Sequence, residues 1–302
     1  MLVLEDADVR RLLEPTAAIA AVRESLIAHH TGGLTAPPRL HAPLGDGDLV
    51  FTVGRLAGTG YGFRVYRMTS SASSDQLTVV YDDATGELSG VITGDFLGAA
   101  RTGAIGAVAV DVLARSDAGT VGLIGSGRQA WTQLWAIRAV RPLRAVRVHS
   151  RDPARREEFA RRAGAELGVP AAGVETPAAA VDGADIVVLA TTSTQPVIEA
   201  SWVAAGTHVS TLGPKAARAH ECPPELADRA EVILTDSPAQ IDASFEPFFL
   251  TGAHRQRIGD LGAAAAGAGQ RRETSDQITL FCSVGLAGTE VAVAAGLLRA
   301  DR

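Results

Sequence analysis

The run Val121-Gly-Leu-Ile-Gly125-Ser126-Gly127-Arg128-Gln129-Ala130 has the residue types and spacing of a pyrophosphate-binding turn. It follows an apolar strand pattern and opens a helical one, the context in which a G-x-G-x-x-G/A pattern carries meaning. Gly125 would make the tight turn, and Gly127 would let the backbone approach the anion. Ala130 would keep the helix close to the sheet, with free N–H groups at the helix start facing the negative charge. Ser126, Arg128 and Gln129 are taken with the glycines as cofactor contacts.

The position about 20 residues past such glycines decides between the two nicotinamide dinucleotides, because an acid there binds the ribose 2′-hydroxyl of NAD. Here the chain reads His149-Ser150-Arg151. A hydroxyl and a planar guanidinium suit a 2′-phosphate, so Ser150 and Arg151 point to NADP(H) rather than NAD(H). The competing reading leaves Arg151 in solvent and gives the ribose to Asp152. Thr191 and Thr192 end a later strand and either line the nicotinamide pocket or pack.

Two further residues stand out. Arg101 is the one charge in the small-residue stretch FLGAARTGAIGAVAV, and Lys215 is the only lysine among 28 Lys+Arg residues. The two cysteines, Cys222 and Cys282, match no metal spacing and read as buried free thiols; no metal is expected.

These residues need elements to hold them. Pro15 opens an amphipathic helix closed by Gly32-Gly33, and 49–92 breaks into short β-rich runs, with Asp82–Gly86 as a hairpin turn. Residues 93–115 read as an Ala/Gly-rich helix. Strands then alternate with helices at 120–124, 145–149, 185–190, 207–212 and 231–235, with helices over 129–140 and 153–167. That alternation predicts an α/β protein: a doubly wound parallel Rossmann sheet over 116–282, beside a smaller α+β domain. The smaller domain would span 1–115 and be completed by 283–302, with a last helix from Val284. The segment 262–270 reads as a loose connection or a frayed helix. Tyr61, Tyr66, Met68 and Phe96 remain unassigned between pocket and core.

The bulk numbers exclude other classes. A chain of 302 residues, 46% hydrophobic and 21% charged, can bury a sizeable core. Its net charge of −6 argues against a nucleic-acid partner. The acidic start MLVLEDADVRRLL is unlike a signal peptide and no membrane span is read, so a cytoplasmic location is expected.

Arg101-Thr102-Gly-Ala, the GLIGSGRQA turn, the RDPARREEFA helix start and Ser283-Val284-Gly285 occur in an order that resembles the ornithine cyclodeaminase/mu-crystallin family over nearly the whole chain. The resemblance implies a homodimer and a small amino- or imino-acid substrate whose carboxylate is held by basic residues of the first domain. Arg101 matches the family arginine, and Arg39 in APPR looks like the upstream one. Arg64 in GFRV stands where the family typically has lysine, and three arginines suit a bidentate grip on a carboxylate.

The chain departs from the cyclodeaminases after the fifth Rossmann strand. There His208-Val-Ser-Thr-Leu-Gly213-Pro214-Lys215, anchored by Glu221 and Pro224-Glu225, puts Lys215 where those enzymes carry a catalytic aspartate. A cation cannot accept the protons that cyclodeamination releases. Lys215, expected at the C-terminal end of a parallel strand, would instead donate one, with His220 a weaker candidate. The leading expectation is therefore NADPH-dependent reduction of a C=N bond in a small, cyclic or carboxylate-bearing imine. The alternatives are an opine-type or amino-acid dehydrogenase, an ornithine or lysine cyclodeaminase, and a non-catalytic NADPH-dependent ligand-binding protein.

Overall fold

The computed structural model describes residues 2–45, 47–68 and 76–300. In chain order the first elements are β1 (Leu2–Leu4), α1 (Asp6–Leu12), α2 (Pro15–Thr31), β2 (Leu34–Thr35), β3 (Leu40–Pro43), β4 (Asp48–Leu56), β5 (Gly60–Met68), β6 (Leu77–Tyr81), β7 (Leu88–Thr93) and α3 (Phe96–Leu113). Next come β8 (Thr120–Ile124), α4 (Arg128–Ile137), β9 (Ala145–His149), α5 (Pro153–Leu167), β10 (Ala171–Gly173), α6 (Pro177–Val181), β11 (Ile186–Leu189) and β12 (His208–Thr211). The chain continues through β13 (Lys215–Ala216), β14 (Ala219–His220), α7 (Leu226–Arg229), β15 (Ala230–Thr235), α8 (Pro238–Asp242) and α9 (Gly252–Gln256). It closes with β16 (Ile258–Asp260), α10 (Leu261–Ala265), β17 (Ile278–Cys282) and α11 (Thr289–Ala300). The fold divides into one unit of 1–105 with 285–302 and another of 106–284, the boundary falling inside α3.

The first unit is a seven-stranded sheet in the order β1-β7-β6-β5-β4-β2, with β3 also paired to β4. Helix α11 packs across β4 to β7, and α2 packs on α11. Alternation along β4 buries Val50, Thr52 and Leu56 toward α11, and β5 contributes Arg64 from the same face. The opposite face is also apolar. Phe51 stacks on Phe63 at 5.0 Å and Tyr61 on Tyr81 at 5.2 Å, while Leu40 is 63% and Val53 37% exposed. An antiparallel sheet covered on one side normally turns polar residues to the other. Met68 is exposed, Tyr66 lies beneath the Arg64 guanidinium, and Phe96 is buried under Arg10.

The second unit is an eight-stranded, all-parallel sheet in the order β10-β9-β8-β11-β12-β17-β15-β16. Its central strands β8 (TVGLI), β11 (IVVL) and β17 (ITLFC) are mostly apolar and buried, as strands of a parallel sheet covered on both faces are. The caps set α5 sharply: the Asp152 side chain accepts from Ala154 N and Arg155 N, Pro153 takes the first turn, and Gly168 ends the helix in the left-handed region.

Three expectations change. The last helix starts at Thr289, not Val284, because Gly285 (φ 83°) and Gly288 (φ 81°) interrupt the chain before it. Strand β17 is central to the sheet although it lay outside the expected strand series. Lys215 opens the short hairpin β13–β14, four residues beyond the end of β12. Helix α3 has the length and hydropathy of a membrane span, but it is largely buried within the protein, as a core helix is.

Candidate active-site elements

At the C-terminal ends of β8 and β11, where the strand order reverses, a cleft of about 470 Å³ opens. Gly125, at φ 117°, forms its floor, and a Cβ there would overlap the Ala190 carbonyl, so the turn admits only glycine. The Gly125 amide donates to the His149 carbonyl at 2.9 Å, and the Ser126 and Ser150 hydroxyls lie 3.1 Å apart, joining the turn to the end of β9. Helix α4 starts at Gly127 without a side-chain cap, leaving its first amides for an anion. A Cβ on Gly127 would meet nothing within 4 Å, so the space in front of that amide is open. These features fit a dinucleotide pyrophosphate.

Ser150, Arg151, Arg155, Thr191 and Thr192 line the same cleft, and among the described residues no acidic side chain does. Asp152 is committed to α5, where it accepts from Ala154 N at 2.9 Å and Arg155 N at 3.2 Å. Arg128 and Gln129 are the exposed first residues of α4 and do not line the cleft.

The first unit brings Arg39, Arg64 and Arg101 together with an acid that sequence reasoning passed over, Glu290. Arg64 is buried; its Nε donates to Gln76 Oε1 at 3.0 Å, and its guanidinium lies 4.3 Å from the Tyr66 ring centre. Arg39 donates to the Gly285 carbonyl at 3.0 Å. Arg101 is buried, with one terminal nitrogen 3.7 Å from Glu290 Oε2. Among the described residues its Nε and other terminal nitrogen have no hydrogen-bond acceptor. Buried donors without acceptors are rare in folded proteins, and each calls for an explanation.

Burial pushes the Glu290 carboxyl upward, but the Arg101 and Arg64 guanidiniums and the Thr52 hydroxyl outweigh it and hold it below the usual range. Glu290 is the second residue of α11, where sequence alone reads it as a helix-start acid. Only the three-dimensional approach of β4, β5 and α3 makes it a counter-ion.

In the second unit Lys215 is half-buried, and its Nζ donates to the Gly213 carbonyl at 2.6 Å. Burial lowers its pKa, against the pull of Glu221, the largest opposing charge. His220 faces Lys215 across the hairpin, stacks on Phe249 and directs Nδ1 at the Ala216 carbonyl. Cys222 and Cys282 are buried, unpaired thiols pushed up by burial, Cys282 to about 12.

The sequence profile of the ornithine cyclodeaminase/mu-crystallin family matches residues 1–298. A Delta(1)-pyrroline-2-carboxylate reductase of Bacillus cereus is 32% identical over 72% of this chain and 68% of its own. The solved Delta(1)-pyrroline-2-carboxylate reductase of Thermococcus litoralis, in complex with NADH and L-proline, is 26% identical with a TM-score of 0.89, covering 99% of this chain and 97% of that one. The iminosuccinate reductase of Paracoccus denitrificans, in complex with NAD+, is 26% identical with a TM-score of 0.86, covering 99% and 95%.

Proposed function

Since the chain belongs to the ornithine cyclodeaminase/mu-crystallin family, we propose that it is an NADPH-dependent oxidoreductase that reduces the C=N bond of a small, carboxylate-bearing imine. The observation that carries this reading is the buried arginine group of the first unit, where Arg101 keeps two nitrogens without acceptors. A substrate carboxylate satisfies them, and Arg39 and Arg64 add positive charge around it.

Gly125, Ser126, Gly127 and the first turn of α4 hold the cofactor pyrophosphate. Ser150 and Arg151 take the 2′-phosphate, and the capping role of Asp152 removes the acid that would favour NAD. Bound there, the reduced nicotinamide supplies hydride to the imine carbon. Lys215 gives the proton that the substrate nitrogen takes up, leaving the amine. A desolvated lysine is the stronger acid for that transfer near neutral pH. Because a protonated lysine cannot accept protons, the same residue speaks against cyclodeamination.

The apolar outer face of the first sheet supports a homodimer in which a second copy covers Phe51, Phe63, Tyr61 and Tyr81. Unpaired buried thiols suit a reducing, cytoplasmic setting.

The test follows absorbance of the reduced nicotinamide with cyclic imino acids, offering NADPH and NADH in parallel. Faster oxidation of NADPH than of NADH, lost in Lys215→Ala, is the expected result. Ammonia release from ornithine with NAD+, without imine reduction, overturns the proposal.

A further inference from the structure

The Glu221 carboxylate is wholly buried and accepts from five donors. Thr191 N (2.8 Å) and Thr191 Oγ1 (2.7 Å) reach Oε2, and Thr211 Oγ1 (2.9 Å), Leu212 N (3.0 Å) and Gly213 N (2.5 Å) reach Oε1. These donors lie just past the ends of β11 and on the end of β12 and its following turn. The acid therefore ties together two neighbouring loops at the C-terminal edge of the sheet. The Glu221 amide also donates to the Pro214 carbonyl at 3.2 Å, closing the hairpin that carries Lys215.

Such a site is costly to build. Desolvating a carboxylate so fully is offset only when its oxygens are saturated with donors, and five donors do so here. The five donors are three backbone amides and two hydroxyls, none of them charged. The Glu221 carboxylate is the largest favourable charge acting on the Lys215 ammonium, and Gly213, whose amide donates to Glu221, gives Lys215 its carbonyl. Gly213 thus links the acid to the lysine through two successive peptide units, the N–H of one facing the acid and the C=O of the next facing the lysine.

We propose that Glu221 is a positioning residue for the reduction: by clamping Gly213 it aims the Lys215 ammonium, and by its charge it keeps that ammonium protonated between turnovers. This inference rests on the reading of Lys215 as proton donor. The other groups acting on the lysine are Asp236, Cys222 and Cys282, and His220 lies opposite it in the hairpin. Both thiols are pushed up by burial and stay neutral, so Glu221 and Asp236 are the charges that set its titration.

Because the chain contains one lysine, protein grown on ε-13C-lysine gives one side-chain resonance, and its titration reads the Lys215 pKa in the intact protein. In Glu221→Gln, which keeps the shape and removes the charge, that pKa is expected to fall by about one unit or more. The alkaline limb of the kcat/KM profile for imine reduction should move down with it. Glu221→Asp, which keeps charge and shortens reach, should retain the pKa and lose kcat. If Glu221→Gln does not fold, Thr211→Val takes its place: loss of one clamp donor with the charge kept should lower kcat and leave KM for NADPH unchanged.

An unshifted resonance and alkaline limb in folded Glu221→Gln overturn the inference. An unchanged kcat in Thr211→Val does so where that substitution replaces it. Full activity in Lys215→Ala overturns instead the reading of Lys215 on which it rests.

Discussion

His208 gives the most direct measure of how tightly the second unit is packed. It is completely buried in β12, with Nδ1 2.9 Å from Thr279 Oγ1 and Nε2 3.0 Å from Ser210 Oγ. Burial, with Arg272 and Arg141 adding to it, lowers its pKa from 6.5 to about 3. The folded protein therefore holds the neutral ring, while the unfolded chain binds a proton below about pH 6.5. The sign follows from linkage: the unfolded state gains protons as pH falls, so stability is full above the unfolded pKa and is lost progressively toward the folded one. Between about pH 7.5 and about pH 5.5 the loss from this residue is about 1.4 kcal/mol.

All three tryptophans, Trp131, Trp135 and Trp202, lie in the second unit. Tryptophan fluorescence during urea unfolding thus follows that unit by itself. His208→Gln keeps a donor and an acceptor for the two hydroxyls and removes the titration. Its stability should lose about 1.4 kcal/mol less than the wild type over the same pH interval, carboxylates shared by both proteins cancelling in the difference. Equal losses in the two proteins would refute the assignment of a depressed histidine at this position.

Other expectations concern function. Arg151→Ala should raise Kd for NADPH about tenfold or more, the cost of a charge-assisted phosphate contact, and leave NADH nearly unchanged in a fluorescence titration. Arg101→Lys keeps the charge but loses the planar fork, so KM for an imino acid should rise about tenfold to a hundredfold while KM for NADPH holds; steady-state kinetics separate the two. For the proposed homodimer, Phe63→Arg, on the apolar outer face of the first sheet, should shift sedimentation from dimer toward monomer. An unaltered sedimentation coefficient would remove that face from the interface.

Local signals made much of this protein readable. The Asp-Pro start and left-handed Gly168 end of α5 bracket the helix read from its sequence, and the glycine turn sits between β8 and α4 as its spacing predicts. Long-range pairing hid the rest. Ile278–Cys282 acquires its meaning only between β12 and β15, strands whose partners lie dozens of residues away. Glu290 reads as a helix-start acid in sequence and Glu221 only as an anchor for placing Lys215, and each becomes a buried organiser because separate segments converge on it. Lys215 was legible by its rarity, but its place on a hairpin depended on Pro214 and Glu221 closing the turn.

The seat of Arg64 also ties it to a glycine of α3. Its guanidinium lies against Gly98 of α3 so closely that a Cβ on Gly98 would overlap it. Glycine inside a helix costs about 1 kcal/mol relative to alanine, so the arginine is accommodated at the helix's expense. A side chain at position 98 and the Arg64 guanidinium would compete for the same space. Arg64→Lys should open the room that Gly98→Ala then fills. The two positions should therefore vary as a pair across relatives.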